Sequence, residues 1–185
     1  MLATLFVLSF SASRSLVQDP AVHSTSEYLG LVKVRLTLMA LVAAFAGYFL
    51  ASPSPMDLSR LLHALLGAFL IGGGGNALNQ FLERDIDQKM HRTQMRPLPS
   101  EQLAPKNALI FGSLLAAAGV AELFFFVSGL SSAIGAIIFV SYVFVYTPLK
   151  RFTTLNTYVG AIPGALPPVL GWVAGGGALG REAMS

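Results

Sequence analysis

Cysteine is absent from the 185 residues, so neither a disulfide framework nor a thiolate metal site can be built from this chain. Charge is scarce as well. Asp, Glu, Lys and Arg supply 11% of the residues, against about 25% in an ordinary soluble domain. Together with 54% hydrophobic residues, that scarcity excludes a freely soluble globular enzyme and a disordered or collagen-like chain. The small net charge of +3 gives no reason to expect a nucleic-acid partner. What is present is apolar residue in long runs, and the mean hydropathy of +0.66 identifies the lipid bilayer as the main solvent.

A helix crosses a bilayer in roughly 20 mostly apolar residues. Five stretches reach or approach that length: 36–52, 58–82, 108–127, 130–146 and 158–175. The fold class expected is an all-α polytopic membrane protein, a transmembrane helix bundle. Residues 52–57 and 128–131 form short connections without basic residues, whereas 83–106 and 147–156 are polar and basic. Pro163, Pro167 and Pro168 fall inside the fifth stretch and predict a kinked or broken helix there.

Basic residues set orientation. Arg14, Lys33 and Arg35 precede the first span; Arg84, Lys89, Arg92, Arg96 and Lys106 lie between the second and third; Lys150 and Arg151 lie between the fourth and fifth. All share one side if the N-terminus is cytoplasmic, which leaves only Arg60 and Arg181 opposite. Residues 1–27 have an apolar but short start and no preceding basic residue, so they are expected to be a dispensable extension and not a signal peptide. Residues 28–175 are the expected domain and 176–185 a tail.

The chemistry concentrates where the second stretch meets its loop. Asn79, Glu83 and Asp87 are spaced by four, which puts them on one face of a helix. One amide and two carboxylates suit Mg2+, a hard cation commonly held by one or two carboxylates plus substrate phosphate oxygens. Asp85 falls nearly opposite Glu83 and joins the cluster only if the helix loosens. Arg92 and Arg96 follow, again four apart, before Pro97 ends any helix. Guanidinium groups bind phosphate oxygens in pairs. Carboxylates for a metal and arginines for an anion beneath an apolar bundle describe a site for a diphosphate-bearing lipid. The plain alternative is a solvated loop whose charges pair with one another.

The segments NQFLERDID (79–87) and MHRTQMRPL (90–98) resemble the first aspartate-rich motif of the UbiA superfamily of intramembrane prenyltransferases. YTPLKRFTTLN (146–156), running into VGAIPGALPPVLGW (159–172), is similar to the heme-directed branch of that superfamily. The resemblance covers about residues 28–172 and implies a UbiA-like bundle. It implies transfer of farnesyl from farnesyl diphosphate to a vinyl group of protoheme IX, with addition of water and with Mg2+ as cofactor. Glu83 and Asp87, with Asp85 as a third oxygen ligand, would hold the metal, and Asn79 would orient the site. Arg92, Arg96, Lys150 and Arg151 would carry the diphosphate charge, with Lys33, Arg35 and Asn156 on the substrate side. Other acceptors within the superfamily are a quinone precursor ring and a chlorophyll-type tail acid.

Two departures stand out. Val34 lies between Lys33 and Arg35 where members often have proline, and Phe152 stands where a second arginine is frequent. The family has about nine spans and a second acidic motif after the sixth, of which this chain carries about five spans. The expectation is therefore a partial site, and an inactive fragment is the competing reading. A transporter would show paired ionisable groups at the midplane and repeat symmetry, and only Glu122 looks suitable. Gly72 to Gly75 are expected to be a close-packing patch, His63 and His91 to be an interfacial and a loop side chain, and Phe124 to Phe126 to face lipid or core.

Because the chain has no native cysteine, single cysteines at Ser54 and Thr93 test the orientation with an impermeant thiol reagent on intact cells. Ser54→Cys is expected to label from outside and Thr93→Cys is not. The reverse pattern overturns the topology.

Overall fold

A computed structural model describes residues 20–52, 55–150 and 156–178. Its elements are α1 (Pro20–Val32), α2 (Val34–Ala51), α3 (Leu58–Asp87), α4 (Pro105–Phe126), α5 (Gly129–Val140), a π-helical turn (Ser141–Tyr146), the short α6 (Thr147–Leu149) and α7 (Asn156–Ala174). Among the described residues there is no strand. Four segments are long and apolar enough to cross a membrane: Val34–Ala51, Leu58–Asp87, Pro105–Phe126 and Gly129–Leu149. The chain is an integral membrane protein of helical-bundle architecture.

Local sequence explains where these helices begin. Asp57 caps α3 by accepting from the Arg60 amide at 3.0 Å, and Ser128 caps α5 by accepting from the Ser131 amide at 3.1 Å. Pro105 opens α4, where its missing N–H costs nothing. The break between α1 and α2 is a single residue, Lys33, in the left-handed region at φ 48°, ψ 56°. A side chain with a Cβ pays about 1–2 kcal/mol for that conformation, so surrounding contacts must hold it. Helix α1 runs across the boundary expected at residue 28, so residues 20–27 belong to the same helix as 28–32; residues 1–19 lie outside the described ones.

Helix α3 is the spine, with 14 buried residues along its 30. It packs most extensively on α4, and α2 packs most extensively on α7. Small residues permit both approaches. A Cβ on Gly74 would sit 2.6 Å from the Gly112 carbonyl oxygen of α4, and one on Gly119 would sit 2.7 Å from the Gly67 carbonyl. The glycine run is thus a packing surface. Gly47 and Gly171 lie against the Pro168 and Ala44 carbonyls respectively, closer than any side chain would allow.

Two expectations need correction. The fifth stretch, expected to be kinked or broken, is not broken: α7 is one 19-residue helix with its three prolines inside. It seats tightly on α2, and neighbouring helices commonly offset the lost hydrogen bonds in such spans. The irregularity falls instead in the fourth span, as the π-helical turn. Finally, Thr93 is only 2% exposed because its hydroxyl donates to the Asp87 carbonyl at 3.0 Å. The inside thiol probe accordingly moves to the exposed neighbour Gln94.

The α2–α7 contact gives a stability test. Gly171→Val forces a side chain into the Ala44 carbonyl, and overpacking of this kind costs about 1–3 kcal/mol or more. A lower thermal midpoint in detergent is expected, whereas Gly164→Ala, with nothing within 4 Å of the new methyl, is expected to leave it unchanged.

Candidate active site

The extension of α3 beyond its apolar run carries the predicted polar face. Asn79, Glu83 and Asp87 are all buried, at 3%, 7% and 4% exposure, so they point into the bundle and not into solvent. Each is met by a residue from another element. Lys33 Nζ donates to Asn79 Oδ1 at 3.3 Å, Lys150 Nζ to Glu83 Oε1 at 3.1 Å, and Arg96 Nη1 to Asp87 Oδ2 at 2.7 Å. Asn79 Nδ2 in turn donates to Thr147 Oγ1 at 3.0 Å. Three cations therefore converge on two carboxylates, and the cluster carries one surplus positive charge. An anion is attracted to such a place.

Burial marks Lys33 most. Its pKa is pushed down from 10.5 to about 8, chiefly by burial, with Arg96 adding repulsion while Glu83 and Asp87 oppose the shift and Lys150 adds to it. The ammonium is still largely protonated at neutral pH and has lost most of its water, so an anion arriving there finds a poorly solvated cation.

The segment after α3 closes over this end as consecutive turns. Leu98 and Leu103 are buried and pack with Leu31, Ala77 and Ala108, and Gln88 Nε2 donates to the Pro99 carbonyl at 3.3 Å. Arg92 and Arg96 consequently do not share a helix face. Arg96 turns inward, while Arg92 is exposed. Arg35 is exposed as well. Asp85 is corrected more firmly: the helix does not loosen, and its side chain is 74% exposed and paired with Arg84 at 3.2 Å. Asp85 is not a third ligand in this arrangement. Arg151 lies outside the described residues.

An apolar cavity of about 680 Å³ lies between α2, α3, the π-helical turn and α7, within the roughly 300–1,000 Å³ range of small-molecule sites. Its walls include Met39, Ile71, Pro163 and Leu170, and Tyr142, Tyr146 and Asn156 also line it. The two tyrosine rings stack at 5.8 Å between centroids. Phe124, Phe125 and Phe126 are 58%, 75% and 56% exposed and line no part of this cavity.

A metal at the polar cluster is chemically reasonable. The acidic donors offer oxygen only, and each ion pair engages a single carboxylate oxygen. Among the described residues no group of three or more His, Cys, Asp and Glu could enclose a cation. Two carboxylates with a diphosphate and water completing the shell match the habit of Mg2+.

The family profile described as the UbiA prenyltransferase family matches residues 40–185. The chain belongs to that family. A protoheme IX farnesyltransferase of Solibacter usitatus is 48% identical over 165 residues, covering 84% of this chain and 56% of that protein. Among solved structures, a UbiA homolog from Archaeoglobus fulgidus bound to DMAPP and Mg2+ superposes with a TM-score of 0.73 at 17% identity, covering 83% of this chain and 56% of that one. A digeranylgeranylglyceryl phosphate synthase structure gives 0.75 at 22% identity, with 86% and 56% covered. The UbiA-type fold is therefore common to all three, and the chain spans about half the length of the curated relatives it matches.

Sequence reasoning missed Thr147, Tyr142, Asn76 and Gln80. Gln80 Nε2 donates to the Leu31 carbonyl at 2.9 Å, and Asn76 holds the Val32 carbonyl at 3.1 Å. A signal existed for these two: Asn76, Asn79, Gln80, Glu83 and Asp87 recur at helical spacing along one stripe of an apolar helix. Nothing in the sequence marks the π-helical turn that brings Tyr142 and Thr147 in. Glu122 lies one turn from the end of α4, away from any midplane, and its Oε1 contacts His63 Nδ1 at 2.7 Å. His63 and Glu83 are 20 residues apart on one continuous helix, or about 30 Å at 1.5 Å per residue. This pair is therefore remote from the polar cluster.

The Lys33 shift gives a pH test. As pH rises through about 8 the ammonium loses its proton, so affinity for inorganic pyrophosphate in the presence of Mg2+ is expected to fall across that range. Lys33→Ala is expected to bind more weakly below pH 8 and to lack that limb. A binding curve flat from pH 7 to 9 in the unaltered chain overturns the role of Lys33.

Proposed function

We propose that this chain carries the prenyl diphosphate site of an intramembrane transferase that moves farnesyl from farnesyl diphosphate to a vinyl group of protoheme IX, in a bacterial inner membrane with its basic loops cytoplasmic. The observation that carries the reading is the buried Asn79–Glu83–Asp87 face with its three cations, joined to an apolar cavity through Tyr142 and Tyr146, which line the cavity while Tyr142 bonds to Asn76 and Thr147, next after Tyr146, bonds to Asn79. A molecule with a diphosphate head and a long hydrocarbon tail fits that pair of environments. The similarity to curated protoheme IX farnesyltransferases supports heme as the acceptor over a quinone ring.

Mg2+, when bound, supplies neutralisation of the diphosphate as negative charge builds on its bridging oxygen. Glu83 and Asp87 would hold that ion, and Asn79 would orient the site. Arg96, Lys150 and Lys33 accept the departing phosphate charge, and such prearranged donors act most strongly where water is excluded. The C1–O bond of farnesyl diphosphate breaks and pyrophosphate leaves with the electron pair. The allylic cation is left beside Tyr142 and Tyr146, whose ring faces attract positive charge. The cavity wall keeps water away until the heme vinyl group donates its π electrons to C1. The new carbon–carbon bond leaves a cation next to the porphyrin, which takes up water and releases a proton.

Direct titration of farnesyl diphosphate with Mg2+ into the full chain in lipid nanodiscs tests this reading. Glu83→Gln and Asp87→Asn are each expected to weaken binding by one to two orders of magnitude, about 1.4–2.7 kcal/mol, and more Mg2+ is expected to restore little of it. Asp85→Asn is expected to stay within about twofold. Equal affinity in the first two variants and the unaltered chain removes the metal assignment.

A further inference from the structure

Lys33 is held in a left-handed conformation that a lysine rarely adopts, and the contacts that hold it lead back to the cavity. The Val32 carbonyl, immediately before the turn, accepts from Asn76 Nδ2 at 3.1 Å and from Thr37 Oγ1 at 2.9 Å. Asn76 Nδ2 also donates to Thr37 Oγ1 at 3.2 Å. The remaining group of the Asn76 amide, Oδ1, accepts from the Tyr142 hydroxyl at 3.2 Å. Tyr142 belongs to the π-helical turn, and its ring lines the apolar cavity. An unbroken series of contacts thus runs from the cavity wall, through an amide 4% exposed, to the backbone turn that aims Lys33 at Asn79.

We infer that Tyr142 and Asn76 are positioning residues: they fix the turn at Lys33 and so place its ammonium for the anionic head of the ligand. The inference rests on the prenyl diphosphate reading of the site. Lys33 shares its surroundings with Glu83 and Asp87 of α3, Arg96 of the loop and Lys150 after α6, none of which can replace the turn. A side-chain amide is suited to the role, since it presents a donor to the carbonyl and an acceptor to the phenol at once. Substituting either partner frees the turn to relax toward ordinary backbone, and the ammonium then drifts from Asn79. The same linkage runs in the other direction. A hydrocarbon tail pressing on the Tyr142 ring restrains its hydroxyl, so tail and head are bound more tightly together than separately.

The test is a double-mutant cycle on the full chain in nanodiscs, read as affinity for farnesyl diphosphate with Mg2+, with hydrogen exchange at the amides of residues 33–37 as a ligand-free measurement. Tyr142→Phe keeps the ring and loses the hydroxyl, and is expected to weaken binding about fivefold. In the Lys33→Ala background the same substitution is expected to change nothing, because its effect passes through Lys33. Equal losses in both backgrounds, as general destabilisation produces, overturn the inference. Exchange at 33–37 is expected to quicken in Tyr142→Phe and in the isosteric Thr37→Val, while amides near His63 stay as they were. Unchanged exchange at the turn overturns the inference whatever the affinities are. Quickened exchange in a chain that does not bind farnesyl diphosphate supports the coupling from Tyr142 to the turn and removes the prenyl diphosphate reading instead.

Discussion

Everything at the functional end depends on burying a polar stripe on a helix whose other neighbours are hydrocarbon and apolar side chain. Asn76, Asn79, Gln80, Glu83 and Asp87 are each at most 7% exposed, and an unpaired polar group in such a place costs several kcal/mol. The fold answers each one with a partner from elsewhere in sequence: the last carbonyls of α1, Lys33 at the turn, Arg96 in the loop, and Thr147 and Lys150 after the π-helical turn. The demand for partners thus draws four separate segments to one point. Removing one partner of a buried ion pair typically costs about 3–5 kcal/mol, so the stripe is as much a folding constraint as a chemical one.

The same constraint explains why the glycines lie where they do. Partners can reach α3 only if the helices carrying them approach closely, and Gly72 to Gly75 clear the way just before the stripe begins. A Cβ on Gly75 would stand 3.2 Å from the Tyr142 ring, and one on Gly73 would stand 3.0 Å from Val32. These are the two residues that present the hydroxyl and the carbonyl to Asn76. Membrane helices gain little from the hydrophobic effect against one another, and small residues let van der Waals contact and hydrogen bonds replace it. Close packing and the polar network are therefore one arrangement.

The two ends of the bundle use charge differently. At one end three cations outnumber two carboxylates, a balance that favours an incoming anion. Near the other end His63 meets Glu122, one from α3 and one from α4, and the His63 ring stacks on Phe126 with centroids 4.6 Å apart. That pair has no cation surplus, and about 30 Å of helix separates it from Glu83. It joins two helices, whereas the opposite cluster is the proposed ligand site.

The sequence by itself determined the membrane class, the helical content, the four spans that agree with the structure and the face shared by Asn79, Glu83 and Asp87. Each of these follows from composition or from the 3.6-residue period, and both are local. The tertiary structure decided the rest. Whether Asp85 joined the carboxylates depended on α3 staying helical through Asp87, and that helix is held by the loop folded against it. Whether Arg92 or Arg96 turned inward depended on how residues 88–104 coil over the bundle. The continuity of α7 through three prolines depended on its contact with α2. Tyr142 and Thr147 entered the site only through a π-helical turn, because one wider turn rotates the residues after it relative to any regular helix. Such outcomes rest on contacts between segments distant in sequence, which no local pattern records.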